Sequence, residues 1–137
     1  MEYEWTEAMS TGVEELDNEH RTLIAWVNRL GAANASGEGW AEVLRVLAFL
    51  GTYARRHFEH EESCFRRHVC PHAAANRRAH EVFTTRLAHI KADCEAHGVT
   101  EGRALELQAF LGDWLVGHIL SVDCKLKVNA NAGADAA

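Results

Sequence analysis

Apolar residues recur three and four apart through four long stretches of this chain, and polar residues break into each of the resulting stripes. The first stripe runs Val13, Leu16, His20, Leu23, Val27, Leu30; the second runs Val43, Leu47, Leu50, Ala54, His57, Glu61, Cys64. The third is Ala73, Asn76, His80, Phe83, Leu87, Ile90, Cys94, and the fourth Ala104, Leu107, Leu111, Trp114, His118. Such spacing keeps one face of an α-helix apolar, and nothing in the chain alternates with the period of two that a strand requires. Glycines in "ASGEG" and at Gly98, with the single proline Pro71, punctuate the pattern and predict helices near 12–35, 40–68, 72–97 and 101–122. Short connections make successive helices antiparallel. The expected architecture is an all-α, up-down-up-down four-helix bundle with packing angles of roughly 20°. An N-terminal arm carrying Trp5 precedes it; residues 1–126 form the domain, and 127–137 read as a flexible tail or the start of a linker.

Composition narrows the functional classes. The chain has 137 residues, 47% hydrophobic and 25% charged, an average balance for one soluble domain. The stretch from Val43 to Leu50 is interrupted by Arg45, far short of the roughly 20 apolar residues that cross a bilayer. No basic region precedes an apolar run at the N-terminus, so a secretory signal is not indicated and a cytoplasmic location is expected. A net charge of −6 repels a phosphate backbone and argues against a nucleic-acid partner. Cys64, Cys70, Cys94 and Cys124 show no C-x-x-C spacing and read as reduced thiols. Nine histidines are many for this length, and they are the first sign of chemistry.

Burying an imidazole or a carboxylate without a partner costs several kcal/mol, so stripes that each carry one call for a common cause. A metal ion supplies it. His57 and Glu61, at i and i+4, leave one helix face about 6 Å apart along the axis. His118 and Asp123 stand at i and i+5, about 140° apart on an ideal α-helix, and need a distorted or terminating helix end to reach one site. A lone histidine such as His20 is more often a hydrogen-bonded core residue than a ligand. Four of them in core register on four helices point instead to one centre. Four imidazoles and two carboxylates exceed what one zinc takes, and their mixed donors suit iron or manganese as a carboxylate-bridged pair. His60, His68, His89 and His97 fall off the stripes or at helix ends and read as solvated, and Glu62 and Glu81 as surface residues or supports to the ligands.

These residues also carry a resemblance. "GVEELDNEH", "HFEHEE", Pro71 followed nine residues later by "HEVF", and "WLVGHILSVD" resemble the bacteriohemerythrins, the bacterial branch of the non-heme diiron hemerythrins, from Trp5 to about Leu126. The resemblance implies two iron ions as cofactor, bridged by Glu61, Asp123 and an oxo or hydroxo group. It assigns His20 and His57 to the iron that binds O2, and His80 and His118 to the other. It implies an apolar oxygen pocket at Leu23, Phe58, Trp114, Leu115 and Ile119. Asn76 stands where the family has a seventh ligand, a histidine, so a weaker amide ligand, a water or a vacancy is expected there, with His72 a full turn away. The expected function is O2 binding by an oxygen- or redox-sensing domain that autoxidises quickly, with small anions or NO as further ligands and a signalling output beyond the C-terminus as partner. The alternatives are an oxygen carrier or storage protein, and a diiron peroxidase or oxidase. Enzymes of that last kind use carboxylate-rich ligand sets with E-x-x-H pairs, which the candidate ligands lack, so no more than weak peroxidase activity is expected.

Overall fold

The computed structural model of the chain describes residues 2–35, 40–123 and 125–126. Cys124 and the expected tail at 127–137 lie outside the described residues. A short 3-10 turn, Glu7–Met9, leads into α1 (Glu14–Ala35), α2 (Trp40–Arg67), α3 (Ala73–His97) and α4 (Glu101–His118), and α4 runs on into a π-helical turn, Ile119–Asp123. The architecture is an all-α four-helix bundle, in which α1 packs on α2 and α4, and α2 packs on α3. Helix α3 meets α4 through large rings, Phe83 lying 4.2 Å from Trp114 between centroids. Among the described residues, no helix is long and apolar enough to cross a membrane.

Local chemistry sets the helix ends. In the first turn of α1, the buried Asp17 carboxylate accepts from Thr11 N at 2.8 Å, Thr11 Oγ1 at 2.9 Å and Ser10 Oγ at 2.8 Å, fixing the chain's entry into the helix. Helix α2 ends in a Schellman arrangement: Cys70 N donates to Phe65 O at 3.0 Å and Val69 N to Arg66 O at 3.0 Å. Val69 fills the left-handed position with φ of 49°, where glycine is the usual residue. Helix α3 ends at Gly98, φ 77°, and Thr100 caps α4 by accepting from Arg103 N at 3.2 Å.

Every stripe residue named from the periodicity is buried or half-buried. The apolar residues form two clusters. The larger contains Leu23, Ala54, Phe58, Phe83 and Leu115; the smaller contains Leu16, Cys64, Phe65, Cys70 and Leu126. In the antiparallel bundle, each helix passes from one cluster to the other through its histidine and carboxylate positions, so the polar groups form a layer between two apolar ones. The N-terminal arm lies over α1 and α4. Tyr3 exchanges hydrogen bonds of 2.8 Å with the Asn28 side chain and donates to Asp113 at 3.0 Å. Its ring fills the space above Gly112 that a Cβ would need.

Candidate metal centre

The polar layer divides into two pockets that share their carboxylates. In the first, His20 Nε2 lies 2.8 Å from Glu61 Oε2 and 3.3 Å from Asp123 Oδ2, and His57 Nε2 lies 3.1 Å from Glu61 Oε2. In the second, His80 Nε2 lies 2.9 Å from Glu61 Oε1, and His118 Nε2 lies 2.8 Å from Asp123 Oδ1. Each carboxylate therefore turns one oxygen to each pocket. All six residues are at most 6% exposed. His20, His57 and Glu61 form one group with mutually close donor atoms, and Glu61, His80, His118 and Asp123 form another. Asp123 reaches the layer because the turn after His118 is π-helical. Hydrogen bonding from i to i+5 widens the turn, so the residue five positions on falls much closer to the first than it does on a regular α-helix.

The hemerythrin HHE cation binding domain family matches residues 11–127. The chain belongs to the hemerythrin family. It is 32% identical to the bacteriohemerythrin of Stenotrophomonas maltophilia over 119 residues, which cover 87% of this chain and 75% of that one. It is 31% identical to the bacteriohemerythrin of Methylococcus capsulatus over 120 residues, covering 87% and 89%. A crystal structure of wild-type hemerythrin matches it with a TM-score of 0.79 at 27% identity, covering 93% of this chain and 97% of that one.

The chemistry of this hemerythrin donor set fits cations. His57 Nδ1 faces Glu19 Oε1 at 2.6 Å, and His80 Nδ1 faces Glu62 Oε2 at 3.0 Å. Each contact places a proton on Nδ1 and turns the Nε2 lone pair inward, where Glu61 oxygens already offer lone pairs of their own. His80 and His118 also bring their Nε2 atoms to 3.2 Å. Acceptors this close and this buried need positive charge between them. Without a cation, only protons could supply it. Burial alone would lower the pKa of His20, yet hydrogen bonds and charge from Asp123 and Glu61 outweigh it and push it up to about 10. His118, lowered by burial and raised more by the same two carboxylates, reaches about 9. Against the cost of burial, the surrounding imidazoles hold Glu61 well below the usual carboxylate range. Cations entering the layer displace these protons.

The structure brings His20, His57, Glu61, His80, His118, Asp123 and Asn76 into the layer together. His72, half-buried at the start of α3, is not among the gathered donors. Leu23, Phe58, Trp114 and Leu115 line an apolar cavity of about 20 Å³, together with Val27, Leu50, Ala54, Phe83 and Leu111. Ile119 does not line it; it is fully buried in the adjoining core. The cavity stands one turn from the gathered imidazoles, and Phe58 and Trp114 stack on His80 and His118 with centroids 3.9 and 4.6 Å apart.

Two supports differ from the sequence-based expectation. Glu19, not singled out beforehand, grips His57 with one oxygen and His60 Nδ1 with the other at 2.8 Å. His60 is thus a hydrogen-bonded neighbour of the layer, 31% exposed, and not a solvated residue. The available signal was the position of Glu19 beside His20 in "DNEH", but it lies off the stripe, and only the pairing of α1 with α2 gives it a target. Glu62 supports His80, whereas Glu81 lies exposed.

Proposed function

We propose that this chain binds O2 at a carboxylate-bridged pair of iron ions, as a cytoplasmic oxygen- or redox-sensing domain and not as a carrier or an enzyme. The observation that carries the reading is the division of Glu61 and Asp123 between two histidine pockets, one oxygen to each. His20 and His57 would hold one iron and His80 and His118 the other. Bound iron would supply two one-electron redox equivalents, matching a reversible two-electron reduction of O2. The chain's own part is to position and to exclude. Glu19 and Glu62 fix the imidazole orientations, and the hydrocarbon walls of the cavity beside the layer keep water from a bound ligand. At about 20 Å³ the cavity accepts one very small molecule and no organic substrate. Its described lining is wholly apolar, which favours binding over turnover.

Two features favour a sensor over a carrier. The second pocket has Asn76 where a third imidazole would stand, and an amide is a poorer donor to ferrous iron. A groove of about 280 Å³, lined by Phe58 and by Arg55, Glu59, Glu62 and Thr84 among others, opens from solvent onto His80 and brings water close to that pocket. Both shorten the oxygenated state. Metal analysis is expected to find about two irons per chain, and stopped-flow mixing of the diferrous protein with O2 a visible absorption that decays within minutes. An oxygenated spectrum lasting hours would sink the sensor reading, and protein that takes up no iron would sink the whole proposal. Peroxide turnover with a reductant, well above that of free iron, would favour an enzyme.

A further inference from the structure

Asn76 is fully buried and projects from α3 one turn before His80. Its Nδ2 lies 2.8 Å from Glu61 Oε1, 2.9 Å from Asp123 Oδ1 and 3.4 Å from His80 Nε2. Its Oδ1 is buried with no hydrogen-bond partner. Around a six-coordinate first-row cation, with bonds of about 2.1 Å, adjacent donors stand about 3 Å apart and opposite donors about 4.2 Å apart. The second pocket follows this pattern. The adjacent pairs His80–Glu61, His118–Asp123 and His80–His118 measure 2.9, 2.8 and 3.2 Å, and His118–Glu61 measures 3.9 Å. The tip of the Asn76 amide stands at adjacent-donor spacing from Glu61, Asp123 and His80, where a fifth protein ligand belongs.

We propose that Asn76 is the fifth protein ligand of the second pocket, through Oδ1, and that its amide turns about χ2 by 180° as the pocket fills. This rests on the iron-pair reading above. Without a cation, an oxygen at the tip would face two carboxylate oxygens, so the NH2 group takes that place and donates to both. With a cation present the preference reverses: the NH2 hydrogens would point at positive charge, and only Oδ1 has a lone pair to give. The half-turn exchanges two atoms of nearly equal size and leaves the backbone where it is. The filled pockets then differ in kind. His20 and His57 with two carboxylate oxygens make an N2O2 set, and His80 and His118 with three oxygens make an N2O3 set. The oxygen-rich second pocket is the harder one and favours ferric over ferrous iron. The first pocket, one protein ligand short by comparison, is where an added anion binds.

Anaerobic calorimetric titration of metal-free protein with Fe2+, and azide titration of the diferric protein, test this without reference to O2. Wild type is expected to bind two Fe2+ and one azide per chain. Asn76→Leu should bind the first Fe2+ unchanged, the second at least tenfold more weakly, and two azides when fully loaded. Asn76→Asp, which keeps an oxygen at the same place and adds charge, should tighten the second Fe2+ and still take one azide, and it serves if the leucine variant fails to fold. Equal second-cation affinity in wild type, Asn76→Leu and Asn76→Asp, or two azides in wild type, would overturn the proposal while leaving the iron pair intact. Failure of wild type to bind any Fe2+ would overturn both.

Discussion

Glu19 shows how one carboxylate outside the donor set can govern it. Its two oxygens hold His57 at 2.6 Å and His60 at 2.8 Å, so His57 presents Nε2 to the layer in one orientation. Supports of this kind typically contribute ten- to a hundred-fold in metal affinity. Glu19→Ala is expected to weaken cation retention by about that factor, read by competition with a chelator, with little change in helix content by circular dichroism. Unaltered retention would mean that the packing around His57 suffices to orient the ring. The gathered donors themselves were legible in the sequence because an imidazole in an apolar stripe is anomalous on energetic grounds. Glu19 was not, because a half-buried glutamate off the stripe looks like any surface carboxylate until a neighbouring helix supplies its partner.

At the scale of single elements, two local departures from regular helix matter. The π-helical turn Ile119–Asp123 turns a spacing that fails on an α-helix into one that aligns His118 with Asp123. The sequence showed the need for a distorted end without showing its form, since periodicity of 3.6 carries no mark of a widened turn. The second departure is Val69, a β-branched residue at φ of 49° and 84% exposed, in the turn between α2 and α3. The left-handed conformation costs a non-glycine residue about 1–2 kcal/mol, and glycine's added freedom in the unfolded chain returns about 0.5–1 kcal/mol of that. Val69→Gly should therefore stabilise the protein by about 0.5–1 kcal/mol, visible as a higher urea midpoint at an unchanged slope. A lower midpoint would show that the valine side chain holds the turn in a way its exposure conceals. Pro71 marked the break between these helices in the sequence, but the left-handed residue two positions earlier had no glycine to announce it.

The whole molecule is a stack of apolar, polar and apolar layers, and its stability follows from the middle one. His20, Glu61, Asn76 and Asp123 are each at most 1% exposed, so a bundle stripped of metal would keep charge in its centre with only protons and hydrogen bonds to offset it. A cation that binds only the folded chain adds roughly 3–4 kcal/mol when present at 100 to 1,000 times its dissociation constant. For a domain of this size that corresponds to a melting temperature about 10 °C higher, so chelation should lower the midpoint by about that much. A midpoint indifferent to chelation would place the cations outside the layer. The bundle and the four stripes were readable from the period of the apolar residues. The seating of Tyr3 over Gly112 was not, because a glycine inside a helix gives no sign of which distant ring will lie on it.

The order of the donors along the chain has a further consequence for biogenesis. His20, His57 and Glu61 belong to the α1–α2 hairpin, whereas the other pocket draws on α2, α3 and the last turn of the domain. A ribosome delivers the hairpin seconds before Asp123 leaves the exit tunnel. On the proposed iron-pair reading, the nascent chain presents one nearly finished chelating hairpin well before its counterpart exists, so vectorial synthesis itself favours that half for the first cation.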